Sequence, residues 1–276
     1  MNQLPHPIVG GAFSSPVTPG TNWPQDLATT ETPVANSAAQ VKKISAAAQS
    51  LEELSAAITV CRACPNLVKW RTDVAITKRK SFENQPYWGR PAAGFGDADP
   101  QLLVVGLAPA ANGANRTGRI FTGDRSGDWL YRAMHKAGFA NQPTSEHAGD
   151  GLSLINARVL AAVRCAPPGN KPTPLERDTC SHWFAAELNY LSKLKVIIAL
   201  GSFAWEQSIS RLLELGFVGA KSKFGHGAKI EFNIGEKTIL LLGSYHVSQQ
   251  NTFTGRLTEE MLDEIFALAK QRTNSR

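Results

Sequence analysis

Several absences narrow this chain before any motif is read. No apolar run approaches the roughly 18 residues that a membrane helix needs. The N-terminus lacks a charged start followed by an apolar stretch, so the pattern of a secretory leader is missing. Cysteine is scarce, with only four in 276 residues, and a reduced cytosol disfavours pairing them as disulfides. These absences predict a cytoplasmic protein with no membrane partner. What remains is a hydrophobic fraction of 42%, enough to bury a real core. The length fits one large domain or two small ones.

Positive charge is also missing from one end. Residues 1 to 40 hold Asp26 and Glu31 but no Lys or Arg, so the overall +6 becomes +8 on the remainder. A basic globular body suits a polyanion such as nucleic acid, although a solvated basic surface explains the charge equally well. The same stretch holds six of the sixteen prolines and no helical or strand periodicity. It reads as a disordered tail over 1–40, with the folded domain spanning 41–276.

Beyond the tail, strands and helices alternate. A helix rich in Ala, Leu and Glu is expected from about Ser45 to Val60. Short apolar runs at Leu102–Val105, Ala157–Val163, Val196–Leu200 and Thr238–Leu242 read as buried strands. Helices are expected at Gly127–Ala137, from Thr173 to about Leu194, from Ser202 to Gly216, and after Thr258. Thr173-Pro-Leu-Glu176 carries a cap, a proline at the first helical position and a capping-box Glu. Leu257 and Leu262 are spaced for a hydrophobic staple. Residues 217 to 237 read as an irregular hairpin. The alternation predicts an α/β fold: a central four-stranded parallel sheet flanked by helices on both faces.

The four cysteines are Cys61 and Cys64, as C-x-x-C, then Cys165 and Cys180. Four thiolates suit tetrahedral zinc or an iron–sulfur cluster. A zinc ribbon would normally present two close knuckles, whereas the second pair here is split by fourteen residues. A cluster accepts ligands from scattered elements, so the spacing favours 4Fe–4S, with zinc as the alternative. Its expected role is structural, tying the N-terminal part of the domain to the core.

Two loops carry the chemistry. Gly106 to Asp124 and Ser244 to Arg256 each follow a buried strand and are packed with Gly, Asn, Thr and Arg. Two such loops at strand ends make one site on one sheet edge, where open α/β folds bind ligands. A nucleotide-binding α/β enzyme is one reading, but both G-x-G-x-x-G and the G-K-[ST] of a P-loop are absent. A non-catalytic DNA-binding module with a structural metal is another, and it leaves His246 without a role.

Taken together, Gly106-Leu-Ala-Pro-Ala-Ala, Asn115-Arg-Thr-Gly-Arg, Phe121-Thr-Gly-Asp and His246-Val-Ser-Gln-Gln-Asn-Thr-Phe-Thr-Gly-Arg resemble the two motifs of the uracil-DNA glycosylase superfamily. The closest likeness is to its type B (family 5) iron–sulfur branch. The cysteine arrangement and Arg164-Cys-Ala-Pro-Pro-Gly-Asn-Lys-Pro-Thr-Pro agree, and the resemblance covers about residues 58 to 272. Three positions depart from the family patterns. Val247 replaces a usual Pro, Asn112 stands where a His is common, and Ala161 lies where the type A branch has an Asn that reads uracil.

The resemblance implies a monomeric, monofunctional glycosylase that hydrolyses the N-glycosidic bond of uracil in double- and single-stranded DNA. Hypoxanthine and other deaminated bases are further candidate substrates. Such an enzyme must flip the base into a pocket. Phe121 is expected against the base face, with Gly106, Ala108, Ser248 and Asn251 around its edge. His246 is expected to donate a hydrogen bond to the departing base oxygen as its charge develops. Ala108 leaves no general-base carboxylate just after Gly106, so Asn115 or Asp124 is expected to orient the water, although Asp124 equally suits a helix cap. Arg119 and Arg256 are expected phosphate clamps. Gln249, Gln250 and Phe253 are expected to wedge into the gap left by the flipped nucleotide.

Overall fold

The computed structural model describes residues 3–275. Two short strands, β1 (Leu4–Pro5) and β2 (Ala12–Phe13), pair near the N-terminus. Helices α1 (Ala38–Ala47), α2 (Leu51–Val60) and α3 (Pro65–Thr77) follow, then β3 (Phe95–Gly96) and β4 (Leu102–Gly106). Next come α4 (Ala114–Thr117), α5 (Arg125–Lys136), β5 (Ala157–Ala161), α6 (Pro174–Tyr190), β6 (Val196–Leu200) and α7 (Ser202–Glu214). The chain ends with β7 (Lys229–Ile234), β8 (Lys237–Ser244), α8 (Gln249–Phe253) and α9 (Glu259–Asn274).

The expected four parallel strands are present as β5-β4-β6-β8, joined in parallel throughout. The sheet is nevertheless six-stranded and mixed, because β3 and β7 add antiparallel edges, giving the order β3-β5-β4-β6-β8-β7. The sequence shows β7 only as an irregular hairpin because its outer face is wet. Ile230 and Phe232 point inward while Lys229 and Glu231 stay exposed, so no continuous apolar run appears. Strand β3 is two residues long, too short for any periodicity.

Strand residues alternate between two cores, as a pleated sheet requires. Leu103, Val105, Ile197 and Leu241 face one core with Trp183, Phe184, Trp205 and Leu212 from α6 and α7. Leu102, Val104, Ile198 and Leu242 face the other, filled by Leu130, Met134, Leu262 and Phe266 from α5 and α9. Helix α6 starts with the expected capping box between Thr173 and Glu176. Thr258 caps α9, and Leu257 and Leu262 are both fully buried behind it. The helix expected over 45–60 is two helices, because Ser50 caps a fresh start at Leu51.

The N-terminal segment departs most from expectation. Residues 3–37 have little regular structure, yet they pack on the body instead of forming a disordered tail. Phe13, Val17 and Trp23 are buried with Trp88. Trp23 donates its indole N–H to the Thr117 carbonyl at 3.3 Å, and Asp26 pairs with buried Arg90 at 2.9 Å. His6 stacks edge-on against Trp23 and His147, with ring centroids 4.6 and 4.3 Å away. A few large side chains anchor the segment, and composition averaged over forty residues hides them.

Burial lowers the His6 pKa to about 4 and that of His147 to about 3. Both lie below the ordinary histidine value, so the unfolded chain takes up protons first on acidification. This stabilising contribution is complete above about pH 6.5 and is lost as pH falls toward the folded values. The urea midpoint is therefore expected to drop between pH 7 and 4.5, and His147→Phe to flatten that dependence. An unchanged slope in the variant would exclude the His6–His147 contact as its source.

Candidate active site

The parallel register brings the two rich loops to one edge. Gly106 ends β4 and Ser244 ends β8, both on the C-terminal side of the sheet. Phe121 folds back over this edge with a positive φ of 52°. Gly106 permits it, since a Cβ there would stand 2.6 Å from the Phe121 ring. The ring centre lies 6.1 Å from that of His246, with the planes tilted by 39°. An aromatic face and an imidazole from distant segments thus share one corner.

His246 is held through its backbone. Asn251 donates Nδ2–H to the His246 carbonyl at 2.8 Å, and Ser248 caps α8 by accepting from the Asn251 amide. Val247, where the family pattern has Pro, is almost fully buried and fixes the turn by packing. Burial lowers the His246 pKa to about 4, and no charged neighbour opposes the shift. The imidazole is therefore neutral at pH 7. Its ring nitrogens have no hydrogen-bond partner among the described residues, yet they are not sealed from solvent.

Asp124 stands at the start of α5, where Oδ1 accepts from the amides of Ser126 and Gly127 at 2.9 and 3.2 Å. Oδ2 is left for other work. It lies so close to Gly113 that a Cβ there would collide with it. Desolvation is the first cause of the raised Asp124 pKa, opposed by those two amides.

A third group adjoins the first loop. Cys61, Cys64, Cys165 and Cys180 line one small cavity with Leu67 and Trp183. Burial, then the neighbouring thiols, pushes Cys64 up to about 12, and burial raises Cys165 and Cys180 as well. Among the described residues, no three His, Cys, Asp or Glu groups gather closely enough to hold a single metal ion. Arg71, 2% exposed, donates Nη1–H to Cys165 Sγ at 3.0 Å and Nη2–H to the Cys61 carbonyl at 2.8 Å. The Arg71 carbonyl in turn accepts from Asn115 Nδ2 at 3.1 Å, which ties the cysteine cavity to the first loop.

The uracil DNA glycosylase superfamily profile matches residues 93–270, more than half of the chain. The chain belongs to that superfamily. It is 57% identical over 268 residues to a Type-5 uracil-DNA glycosylase of Mycobacterium bovis, covering 96% of this chain and 98% of that one. It is 47% identical to a Type-5 uracil-DNA glycosylase of Thermus thermophilus over 214 residues, 78% of this chain and 94% of the other. A Type-4 uracil-DNA glycosylase of Thermotoga maritima is 27% identical over 155 residues, 56% and 63% of the two chains.

Within this superfamily member, several polar loop residues serve the loop itself. Arg119, expected as a phosphate clamp, is 2% exposed. Its guanidinium pairs with both Asp150 oxygens at 2.8 and 2.7 Å and donates to Thr122 and Ser145. It is therefore unavailable to DNA. Asn115, expected at the water, is 1% exposed with its amide committed to Arg71. Asn251 and Ser248, expected at the base, hold the His246 backbone and the α8 start instead. Arg256, Gln249, Gln250 and Phe253 are exposed, as a DNA contact requires. Arg256 stacks over Tyr245 at 4.7 Å, and Phe253 under Arg125 at 4.7 Å.

Sequence reasoning missed Arg71, Tyr87 and Arg116. Tyr87 donates its hydroxyl to Asn112 at 2.9 Å, and Arg116 spans Asn112, Gln85 and Gly123. Arg116 lay in plain view inside the first motif, but burial is invisible in sequence. Nothing local marks Arg71 or Tyr87. Removing one partner of a buried pair strands the other charge. Arg119→Ala should therefore destabilise the fold by about 3–5 kcal/mol in urea titration, while leaving the salt dependence of DNA binding unchanged. A reduced salt slope with intact stability would return Arg119 to the DNA face.

Proposed function

We propose that this protein is a uracil-DNA glycosylase that hydrolyses the N-glycosidic bond of uracil flipped out of DNA, the first step of base excision repair. The observation that carries the reading is the neutral His246, with ring nitrogens open to a ligand, beside Phe121 at the shared edge of β4 and β8. The kinship with enzymes named Type-5 uracil-DNA glycosylase supports it.

The flipped base stacks on Phe121 with its carbonyl edge toward His246. As the glycosidic bond breaks, negative charge grows on the base and positive charge on the sugar. A neutral imidazole donates a hydrogen bond to the base oxygen, which strengthens as that oxygen gains charge. Keeping the imidazole neutral by burial follows a general device for polarising a carbonyl without an imidazolium. With Ala108 after β4, no carboxylate there abstracts a proton from water. Asp124 Oδ2 orients the attacking water, helped by the charge of the oxocarbenium-like sugar. Asn115 supports this indirectly, by holding the loop to Arg71.

The cysteine cavity fits a 4Fe–4S cluster better than zinc. Zinc bonded at about 2.3 Å would draw four sulfurs to roughly 3.8 Å apart, whereas among the described residues no three of these groups gather closely enough for one ion. Burial raises the pKa of Cys64, Cys165 and Cys180, so these thiols need a cation to ionise, and Arg71 already donates to Cys165. When bound, the cluster would cross-link α2, α3, α6 and the segment after β5, a structural chemistry with no part in bond cleavage.

His246→Ala should lower single-turnover release of uracil by about 10²–10³-fold, the loss typical of one such donor, with DNA affinity retained. The check is alkaline cleavage of a duplex carrying a single uracil, with hypoxanthine and a thymine mismatch alongside. Full activity in the variant would remove His246 from the chemistry. Protein purified anaerobically should be brown and contain iron and sulfide in equal amounts. A colourless preparation loaded with zinc would overturn the cluster.

A further inference from the structure

The loop between α7 and β7 reaches the same sheet edge as the two motifs but belongs to neither. Lys229, at the start of β7, pairs with Leu242 near the end of β8. Gly227 donates to the Gly243 carbonyl at 2.8 Å, and Gly243 donates to that of Ala228 at 2.9 Å. The preceding residues therefore emerge beside Tyr245 and His246. Two contacts seat them there. His226 Nδ1 accepts the Tyr245 amide at 3.2 Å, and Phe224 packs edge-on between Trp205 and Tyr245, each 6.2 Å away.

The side chains left outside are basic. Lys221, Lys223 and Lys229 are exposed, and no Asp or Glu occurs from Phe217 to Lys229. None of the three lysines enters an ion pair among the described residues, and the next acidic residue, Glu231, faces Arg272. Arg256 lies over the Tyr245 ring, so cations flank both sides of the segment leading to His246. A solvated surface would intersperse acidic groups among these lysines and would not need an aromatic anchor.

We propose that residues 219–229 form a phosphate track for the DNA strand that carries the flipped base, with Lys221 and Lys223 contacting phosphodiesters and Arg256 continuing the line across Tyr245. The proposal rests on the glycosylase reading and adds to it a DNA-binding element outside both motifs. Recognition is by charge alone, so it carries no base preference.

The test is affinity of the full-length protein for a uracil-containing duplex across a salt series, compared with Lys221→Gln/Lys223→Gln. Two lost phosphate contacts should lower the slope of log affinity against log salt by about 1.8, at roughly 0.9 each. Lys193→Gln, on the opposite edge of the sheet, should leave the slope at its original value. A double variant with the unaltered slope overturns the track. If the unaltered protein neither binds the duplex nor releases uracil, the glycosylase reading itself fails. If it does both and only the slope is unmoved, the loop alone is misassigned.

Discussion

Parallel pairing of β4, β6 and β8 is the constraint on which everything else depends. Three strands run the same way in adjacent register, so the segments after Gly106 and Ser244 must leave from the same edge. Segments more than a hundred residues apart then meet without any contact having to recruit them. β7 adds a third arrival by running antiparallel, since its beginning lies beside the end of β8. The sheet itself contributes no chemistry. It fixes where chemistry can happen, and its two buried faces make that placement rigid.

Most polar side chains in these loops are spent on shape. Arg116 and Arg119 are buried among carbonyls, hydroxyls and a carboxylate, and they hold the first loop's fold. Asn251 and Ser248 do the same for the second. Among the described residues, the groups left unengaged between the exposed α8 surface and the buried wall are the His246 ring, one Asp124 oxygen and the Phe121 face. The candidate site is thus a small opening in a dense hydrogen-bonded wall. Arg71 extends the wall backward, because one side chain touches a cysteine sulfur while its own carbonyl holds Asn115.

The sequence made the parallel core legible because each buried strand is a bare apolar run, such as Val196–Leu200. It also revealed the caps at Thr173 and Thr258, where side-chain chemistry is local. It obscured β3 and β7, whose residues alternate or are too few, and the whole of α3, which Cys64 begins without a capping bond. At the site, residue types were easier to read than residue duties. Arginine within a glycine-rich motif looks the same whether it will face phosphate or Asp150. The difference lies in a partner thirty-one residues later, and spacing alone does not reveal which side chains will be sealed inside. The N-terminal segment misled for the opposite reason, since its few anchors are aromatic and its many remaining residues are not.

That segment also sets an order of events during synthesis. Phe13, Val17 and Trp23 are synthesised before their docking surface, which is made from Trp88, Thr117 and His147. Until synthesis has reached His147 that surface is incomplete, and these side chains are more open to water than in the finished fold. The strap is made before the surface that receives it. During that interval the apolar side chains of residues 13–23 are exposed, the condition under which unfinished chains tend to associate.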